Sequence, residues 1–233
     1  MSFYTLSSYE IENNDRRIII PLGSMEQHGP HLPIATDTII AEYFANELSK
    51  SVFSYVLPSI PYGVSFEHQP FFNISINNDL LSELLVQTCN SLGENGFNYI
   101  IILNGHHGNK GVLQYLSQKV IQNKTRINVF GINYWELIER DFDHAGFVET
   151  SLMLAIVPKL VQMKKAKRGY IDEKRLHSTY STLLNNPSSF KITKSGVWGD
   201  PTTASAKDGS KIISVTVKNL VRSIKELDNL LQL

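Results

Sequence analysis

Residues 21–38, PLGSMEQHGPHLPIATDT, combine one glutamate, two histidines and one aspartate with three prolines and two glycines. Imidazole and carboxylate groups without a thiolate are ligands that zinc, manganese and iron accept. Glu26 and His28 are separated by one residue, so both side chains can face one side while Gln27 points away. The stretch therefore predicts part of a divalent-metal site. Spacing alone leaves Asp37 two roles, metal ligation or capping of the helix that follows.

Histidines recur in short clusters along the chain. Six of the seven lie in four segments that also carry an acid or a glycine-rich turn, namely His28 and His31, His68, His106 and His107, and His144. Mixed histidine and carboxylate sites usually keep a coordination position open for water, which is typical of catalysis. His31 and His107 are equally well explained as loop residues, and NGHHGN as a tight turn at Gly105 and Gly108.

The segment 143–154, DHAGFVETSLML, places a histidine, a glycine and an acid before an apolar helix. One role for Glu149 is purely local, because an acid near the first turns of a helix is favoured by the helix dipole. The other is chemical, because the segment suits a proton-transfer group beside a metal ligand. The sequence alone leaves both roles open.

Two predicted strands place these clusters at one edge of a sheet. Strand 17–22 precedes Glu26 and His28, and strand 98–103 precedes His106. Ligands of open parallel sheets bind beyond the carboxyl ends of the strands. We therefore expect these side chains to face one crevice.

Short β-rich runs alternate with helical runs along the whole chain, the pattern of βαβ units. Further strands are predicted in FSYVLPSIPYG (53–63) and INVFGIN (127–133). Helices are predicted at about 38–49, after the Asn77 cap through Leu92, at 111–122, at 149–157 and over roughly the last twenty residues. This order predicts an α/β fold, with a mostly parallel sheet and helices on both faces.

Composition narrows the possible partners and the cellular location. The 233 residues fit a single domain, 1–233, and the 22 basic and 22 acidic residues cancel, which disfavours nucleic acid and anionic membranes. Cys89 is the only cysteine, which excludes an intrachain disulfide and a cysteine-rich zinc site. The chain has neither a signal-peptide pattern nor an apolar run of membrane-spanning length. We therefore expect a cytoplasmic protein with a small-molecule partner.

Residues 163–195 differ from the rest of the chain, since KKAKRGYIDEKR and the following polar stretch lack strand periodicity. Three interpretations stay open for this polar excursion: a surface loop, a lid or an oligomer contact. A basic run of this kind is most often a solvated face.

Taken together, GSMEQHGPHLPIATD, NGHHGN and HAGFVETSLML, with GVWGDPTTASAKDGSK near the C-terminus, resemble the creatininase family of metal-dependent amidohydrolases. The resemblance covers roughly residue 18 to the C-terminus. It implies a three-layer α/β/α sandwich and often a homo-oligomer, a hexamer. It also implies one or two divalent ions, zinc first and manganese or iron next, that hydrolyse a C–N amide bond.

The resemblance also assigns residues. The implied metal ligands are Glu26, His28, Asp37, His106 and Glu149, with Asp37 bridging. His144 is the implied acid or base, beside Glu149 as a second catalytic group. PYGVSFEHQPFFNISI is similar to the family's YGxSxEHxxFPGT stretch, and the implied substrate-binding residues are Glu67, His68, His107 and Trp198.

One position departs from the family pattern. Creatininase proper has an acidic ligand in its GHxEN turn, whereas this chain has Gly108 there. The number of ions therefore stays open, as does the substrate among creatinine, a formylamino-pyrimidine nucleotide and the C-terminus of a small modified peptide. The alternative is a non-catalytic metal- or metabolite-binding protein that retains the fold.

Overall fold

A computed structural model describes residues 3–11, 17–121, 127–138, 140, 143–171 and 189–231. Its strands are β1 Arg17–Leu22, β2 Met25–Glu26, β3 Ser54–Val56, β4 Asn73–Ile74, β5 Tyr99–Asn104 and β6 Asn128–Asn133. Four of them form a parallel sheet in the order β3-β1-β5-β6, and β2 pairs antiparallel with β4. Ile18 lies opposite Ile100 and Leu22 opposite Asn104, so β1 and β5 end at the same edge.

The helices are α1 Thr36–Ser49, α2 Asn78–Glu94, α3 Lys110–Gln114, α4 Leu116–Ile121, α5 Phe147–Ile156 and α6 Ala206–Leu231. Side chains of a strand alternate between the two faces of a sheet. Ile19 belongs to a core with α1, α5 and α6, and Ile18 and Ile20 belong to a second core with α2, α3 and α4. The three-layer α/β/α sandwich with a parallel central sheet is therefore confirmed. None of the described helices is long and apolar enough to cross a bilayer.

The predicted elements differ from the structure mainly at their ends. The single helix predicted over 111–122 is wrong, because the described part of that range is divided at Tyr115 into α3 and α4. Residue 122 lies outside the described residues. The strand after residue 53 is short, since Pro58 and Pro61 cannot donate to a neighbouring strand. Leu57 and Ile60 still donate backbone hydrogen bonds to β1, each at 2.9 Å.

The described ends of the polar excursion pack against the rest of the molecule. The Tyr170 N–H donates to the Val197 carbonyl at 3.0 Å, and the Gly199 N–H donates to the Tyr170 carbonyl at 2.8 Å. Phe190 lies on a short 3₁₀ helix, Ser189–Ile192, and is buried. Residues 172–188 lie outside the described part of the chain, so the three interpretations of this segment stay predictions.

Candidate active site

The predicted site residues line one cleft beyond the carboxyl ends of β1 and β5. It is lined by Glu26, Asp37, Glu67, His68, His106, His107, His144, Glu149 and Trp198, together with Gly105, Asp143 and Phe190. His28 is fully buried and contacts two of these side chains. We call Glu26, His28, Asp37, His106 and Glu149 the ligand floor, and His68, Phe190 and Trp198 the aromatic wall.

The turn after β5 brings His106 next to α1. Asn104 ends the strand and holds the turn, because its side chain donates to the His106 carbonyl at 2.8 Å and accepts from the His106 N–H at 3.0 Å. A Cβ on Gly105 would lie 2.2 Å from the Asp37 carbonyl oxygen, so only glycine permits this approach. The lack of a side chain at Gly105 thus allows His106 to lie close to Asp37.

The His106 ring presents one nitrogen to two carboxylates. Its Nε2 lies 2.8 Å from the Val64 carbonyl, an acceptor, so Nε2 carries a proton. Its Nδ1 lies 3.1 Å from Glu26 Oε2 and 3.1 Å from Asp37 Oδ2. Burial opposes a charged ring, yet Glu26 and its neighbours outweigh burial and raise the pKa of His106 well above its usual range. The floor therefore attracts positive charge at this nitrogen.

His28 also lies between a backbone carbonyl and two carboxylates, but here Nδ1 faces the carbonyl and Nε2 faces the carboxylates. Its Nδ1 lies 3.1 Å from the Glu26 backbone carbonyl, and its Nε2 lies 3.0 Å from Asp37 Oδ1 and 3.6 Å from Glu149 Oε2. Burial lowers the pKa of His28, but Asp37 and Glu149 reverse this and raise it well above its usual range. Asp37 thus lies between two imidazoles, in the first turn of α1, while the N-cap of that helix is Ala35.

The donor set of the floor fits a divalent cation. Among the described residues, both carboxylate oxygens of Glu26 and Oδ2 of Asp37 are buried without a hydrogen-bond partner. The imidazole nitrogens beside them are close but lie outside hydrogen-bond geometry. Ligand atoms of Glu26, His28 and Asp37 all lie within 4.8 Å of one another. Buried carboxylates of this kind are normally paired or coordinate a metal.

The start of α5 holds Glu149 and reveals a residue that the sequence analysis missed. The Ala145 N–H donates to Glu149 Oε2 at 2.6 Å, and burial raises the pKa of Glu149 although His28 opposes the shift. Asp143 accepts hydrogen bonds from the Phe147 and Val148 N–H groups, which caps α5. Burial and the Glu149 charge raise the pKa of Asp143 to about 8. An acid placed before a glycine and a helix is the signal for such a cap.

His144 is held by backbone pairing with Trp198. The His144 N–H donates to the Trp198 carbonyl at 2.9 Å, and the Trp198 N–H donates to the His144 carbonyl at 2.8 Å. The centroid of its ring lies 4.4 Å from that of His28. Burial, followed by His28 and His68, lowers the pKa of His144 well below its usual range. The ring is therefore neutral near pH 7, and one of its nitrogens keeps a lone pair that can accept a proton.

The aromatic wall closes one side of the cleft. Phe190 stacks on His68 with centroids 4.1 Å apart and meets Trp198 edge-on at 5.8 Å. Phe190 was not predicted, because it lies in the polar excursion and no pattern marks it. His107 lies on another side of the cleft and stacks on Trp135 at 5.6 Å, and burial lowers its pKa to about 4.

Position 108 has no room for a side chain. A Cβ on Gly108 would lie 2.0 Å from the Val64 carbonyl oxygen and 2.6 Å from both Glu67 Oε1 and His106 Nε2. The space that an acid at this position needs is thus occupied by the Val64 carbonyl and the Glu67 carboxylate.

Two neighbours of the floor histidines have distinct environments. His31 lies outside the cleft and its Nε2 is 2.8 Å from the Thr150 hydroxyl, which ties this loop to α5. The prediction that Gln27 points away is wrong, because β2 ends at Glu26 and the strand alternation ends with it. Gln27 is buried, and its Nε2 lies 3.0 Å from His68 Nδ1 and 3.1 Å from His144 Nε2.

Comparisons with known proteins show the family and the fold. The Creatininase family profile, described as creatinine amidohydrolase, matches residues 4–224. A mycofactocin precursor peptide peptidase from Mycobacterium tuberculosis is 32% identical over 229 residues, which cover 94% of this chain and 88% of the relative. A solved structure described as "Creatininase Mn" has a TM-score of 0.83 at 20% identity, and a mutant creatininase of the "Zn-Zn type" has 0.81 at 21%. Each of these two covers 97% of both chains.

The three-layer fold and the buried histidine and carboxylate cluster at its sheet edge fit a metal-dependent hydrolase. The chain belongs to the creatininase family of amidohydrolases. The resemblance inferred from its motifs is thereby confirmed.

Proposed function

We propose that the cleft hydrolyses a small amide and that the ligand floor holds one or two divalent ions, zinc first, with manganese and iron next. One observation carries the proposal. The buried oxygens of Glu26 and Asp37 face imidazole nitrogens of the floor without a hydrogen bond among the described residues. Nitrogen and oxygen donors without sulfur suit all three metals. Asp37, whose carboxylate lies between His28 and His106, would be the bridging ligand if two ions are bound.

A divalent ion held by the ligand floor would act as a Lewis acid toward the amide carbonyl and would lower the pKa of a bound water from about 15.7 toward 7. The neutral His144 accepts the proton of the attacking water and passes it to the leaving nitrogen as the C–N bond breaks. The products are a carboxylic acid and an amine. Glu149, anchored by the Ala145 N–H, keeps its carboxylate beside His28 during these steps.

The remaining cleft residues are proposed to bind the substrate. Glu67 and His107 supply polar contacts on one side, and His68 and Trp198 form part of the aromatic wall. The M. tuberculosis relative favours the C-terminus of a small modified peptide as substrate, with creatinine and a formylamino-pyrimidine nucleotide as alternatives.

The test begins with metal analysis of the purified protein, followed by a panel of peptide, cyclic and formyl amides with and without chelator. We expect bound metal, hydrolysis of at least one amide, and loss of hydrolysis on chelation. Glu26→Ala and His28→Ala should lower the metal content while the protein remains folded. Unchanged metal stoichiometry in both variants would contradict the ligand assignment.

A second candidate function is binding of a metal or metabolite without turnover. It is favoured by Gly108, since the acid that creatininase proper carries there has no room in this chain. Tightly bound metal without cleavage of any amide, even after addition of manganese or zinc, would establish this alternative.

The same proposal covers the assembly and location of the protein. We propose that residues 1–233 form one creatininase-like domain, that the domain assembles as a homo-oligomer, a hexamer, and that it acts in the cytoplasm on a small molecule rather than on nucleic acid. Light scattering of the purified protein tests the hexamer.

A further inference from the structure

Gln27 lies between two ligands of the floor, and its side-chain amide is fixed at both ends. Its Oε1 accepts a hydrogen bond from the Gly29 N–H at 3.0 Å, and its Nε2 donates to the Gly196 carbonyl at 3.0 Å. One partner is a donor and the other an acceptor, so the amide has only one orientation that satisfies both.

The Gly196 backbone lies so close to the Gln27 amide that position 196 has no room for a side chain. A Cβ on Gly196 would lie 1.8 Å from Gln27 Oε1, and the backbone there has a φ of +76°, which favours glycine. The loop that carries Gly196 continues into Val197 and Trp198, so the Gln27 amide connects the ligand floor with the aromatic wall.

The fixed amide determines which nitrogen of His68 carries the proton. Gln27 Nε2 has two hydrogens and no lone pair, and it lies 3.0 Å from His68 Nδ1. His144 Nε2 lies 3.1 Å from the same amide nitrogen, but it is also 3.0 Å from the Gln27 backbone carbonyl and donates its hydrogen there. The second amide hydrogen is therefore directed to His68 Nδ1, which accepts it, and the ring proton of His68 lies on Nε2. His68 Nε2 lies 2.8 Å from Glu26 Oε1.

We propose that Gln27 is a positioning residue that holds His68 as the Nε2–H tautomer, so that His68 presents an N–H group to Glu26 and is not a metal ligand. The inference rests on the proposed function for its catalytic consequence. By distance alone, His68 qualifies as a ligand together with Glu26 and His144 or with Glu67 and His106. The hydrogen-bond chain from Gly29 through Gln27 excludes it from that role.

The consequence for Glu26 is electrostatic. The His68 N–H lies 2.8 Å from Oε1 outside hydrogen-bond geometry, so it stabilises the carboxylate through the positive end of its dipole and leaves Oε2, beside His106, for the ion. A lone pair on His68 Nε2 would instead repel Oε1 and compete for the same ion. Partners that orient metal ligands in this way are typically worth about 10- to 100-fold in affinity or activity.

The primary test needs no substitution in the site. Histidine labelled with ¹⁵N is incorporated into the whole protein, and long-range ¹H–¹⁵N correlation spectra identify the protonated nitrogen of each ring, in the zinc-loaded and metal-free forms. His68→Asn assigns the His68 signals by their disappearance. We expect the proton on Nε2 in the metal-free form as well as with zinc. A proton on Nδ1 in the metal-free form would overturn the proposal.

Substitution of Gln27 then tests whether this residue determines the tautomer of His68. In Gln27→Glu a carboxylate faces His68, so its Nδ1 should gain the proton and Nε2 should lose it. We expect kcat on the best amide of the panel to fall about tenfold or more while zinc content stays unchanged. Gln118→Glu, on the exposed side of α4, adds the same charge and should change neither the spectrum nor kcat.

The outcomes separate this inference from the proposed function. If Gln27→Glu retains the Nε2 proton on His68, Gln27 does not set the tautomer and the inference fails. If the wild type cleaves no amide, the proposed function fails, yet the metal-free spectrum still decides the tautomer. If Gln27→Glu does not fold, the wild-type spectrum and Gln27→Met, in which His68 is released to exchange between both tautomers, decide the same point.

Discussion

The ligand floor and the aromatic wall differ in how the chain builds them. The floor residues follow β1 and β5 or begin α1 and α5, and each contacts another floor residue through charged atoms at 3.0 to 3.6 Å. The wall residues come from irregular segments and meet through ring faces and edges at 4.1 to 5.8 Å. Helices and strands thus position the charged side chains of the floor, and irregular segments position the aromatic side chains beside them.

The two regions should also differ in how much free energy a substitution costs. Removing one charged partner from a buried cluster leaves another charge uncompensated, which is costly. Trimming Phe190 or Trp198 in the wall removes packing area and leaves no charge uncompensated, unlike His68, which lies beside Glu26. Substitutions in the floor should therefore affect metal content and activity together, whereas those of Phe190 and Trp198 should affect activity alone.

The largest effect is expected for Asp37→Asn. This change removes the carboxylate that lies between His28 and His106, so metal content should fall and activity should drop by more than about 100-fold, beyond the range for a residue that only orients a ligand. Metal analysis and kcat/KM measure the two effects. The matched control is Asp79→Asn, which removes an exposed first-turn acid of α2 and should cost at most about 1 kcal/mol in unfolding free energy. Full metal content in Asp37→Asn would refute the floor as defined.

A large effect without metal loss is expected for His144→Gln. The loss of a proton-transfer group should lower kcat by about 10²- to 10⁴-fold. Metal content should stay unchanged, because His144 is not part of the floor. The control is His31→Gln, which should keep kcat and lose about 1 kcal/mol of stability with its Thr150 hydrogen bond. Loss of metal in His144→Gln would show that His144 helps to hold the metal and belongs to the ligand floor.

The floor was predictable from the sequence because its positions follow regular elements. Buried strands are recognisable in a sequence as apolar runs, and ligands bind beyond the carboxyl ends of parallel strands. The sequence could not decide whether Asp37 caps α1 or contacts imidazoles, since both roles place an acid in the first turn. The structure answers this through the distances to His28 and His106.

Phe190 and Gln27 were beyond sequence reasoning for two physical reasons. Phe190 reaches the cleft through tertiary packing of a polar segment, and a single aromatic residue in such a segment leaves no periodic trace. Gln27 follows a strand that is only two residues long, so alternation no longer predicts which way its side chain points. Asp143 belongs to a third kind, in which a recognisable capping signal was present and not used.

A moderate effect is expected for Phe190→Leu in the wall. The loss of ring stacking on His68 is worth about 0.5–1.5 kcal/mol, so kcat/KM should fall by up to about tenfold. Metal content should not change, which separates the wall from the floor. Phe53→Leu, at a site where the side chain is 60% exposed, is the control and should leave kcat/KM unchanged. If Phe190→Leu loses metal, the division between the two regions is wrong.

The smallest effect on activity is expected at Ala145. It donates to Glu149 of the floor and follows His144, whose backbone pairs with Trp198 of the wall. It is buried and has a φ of +50°, the only positive φ among the described residues other than glycine. A left-handed conformation costs a residue with a Cβ about 1–2 kcal/mol. In Ala145→Gly, relief of this strain is offset by the entropy of glycine and the lost methyl group, so the free energy of unfolding should change by less than about 1 kcal/mol. In Ala145→Val, a β-branched residue is forced into the same conformation, which should cost about 2 kcal/mol or more. Urea denaturation measures both variants, and equal stability of the two would show that the strain at this position is not real.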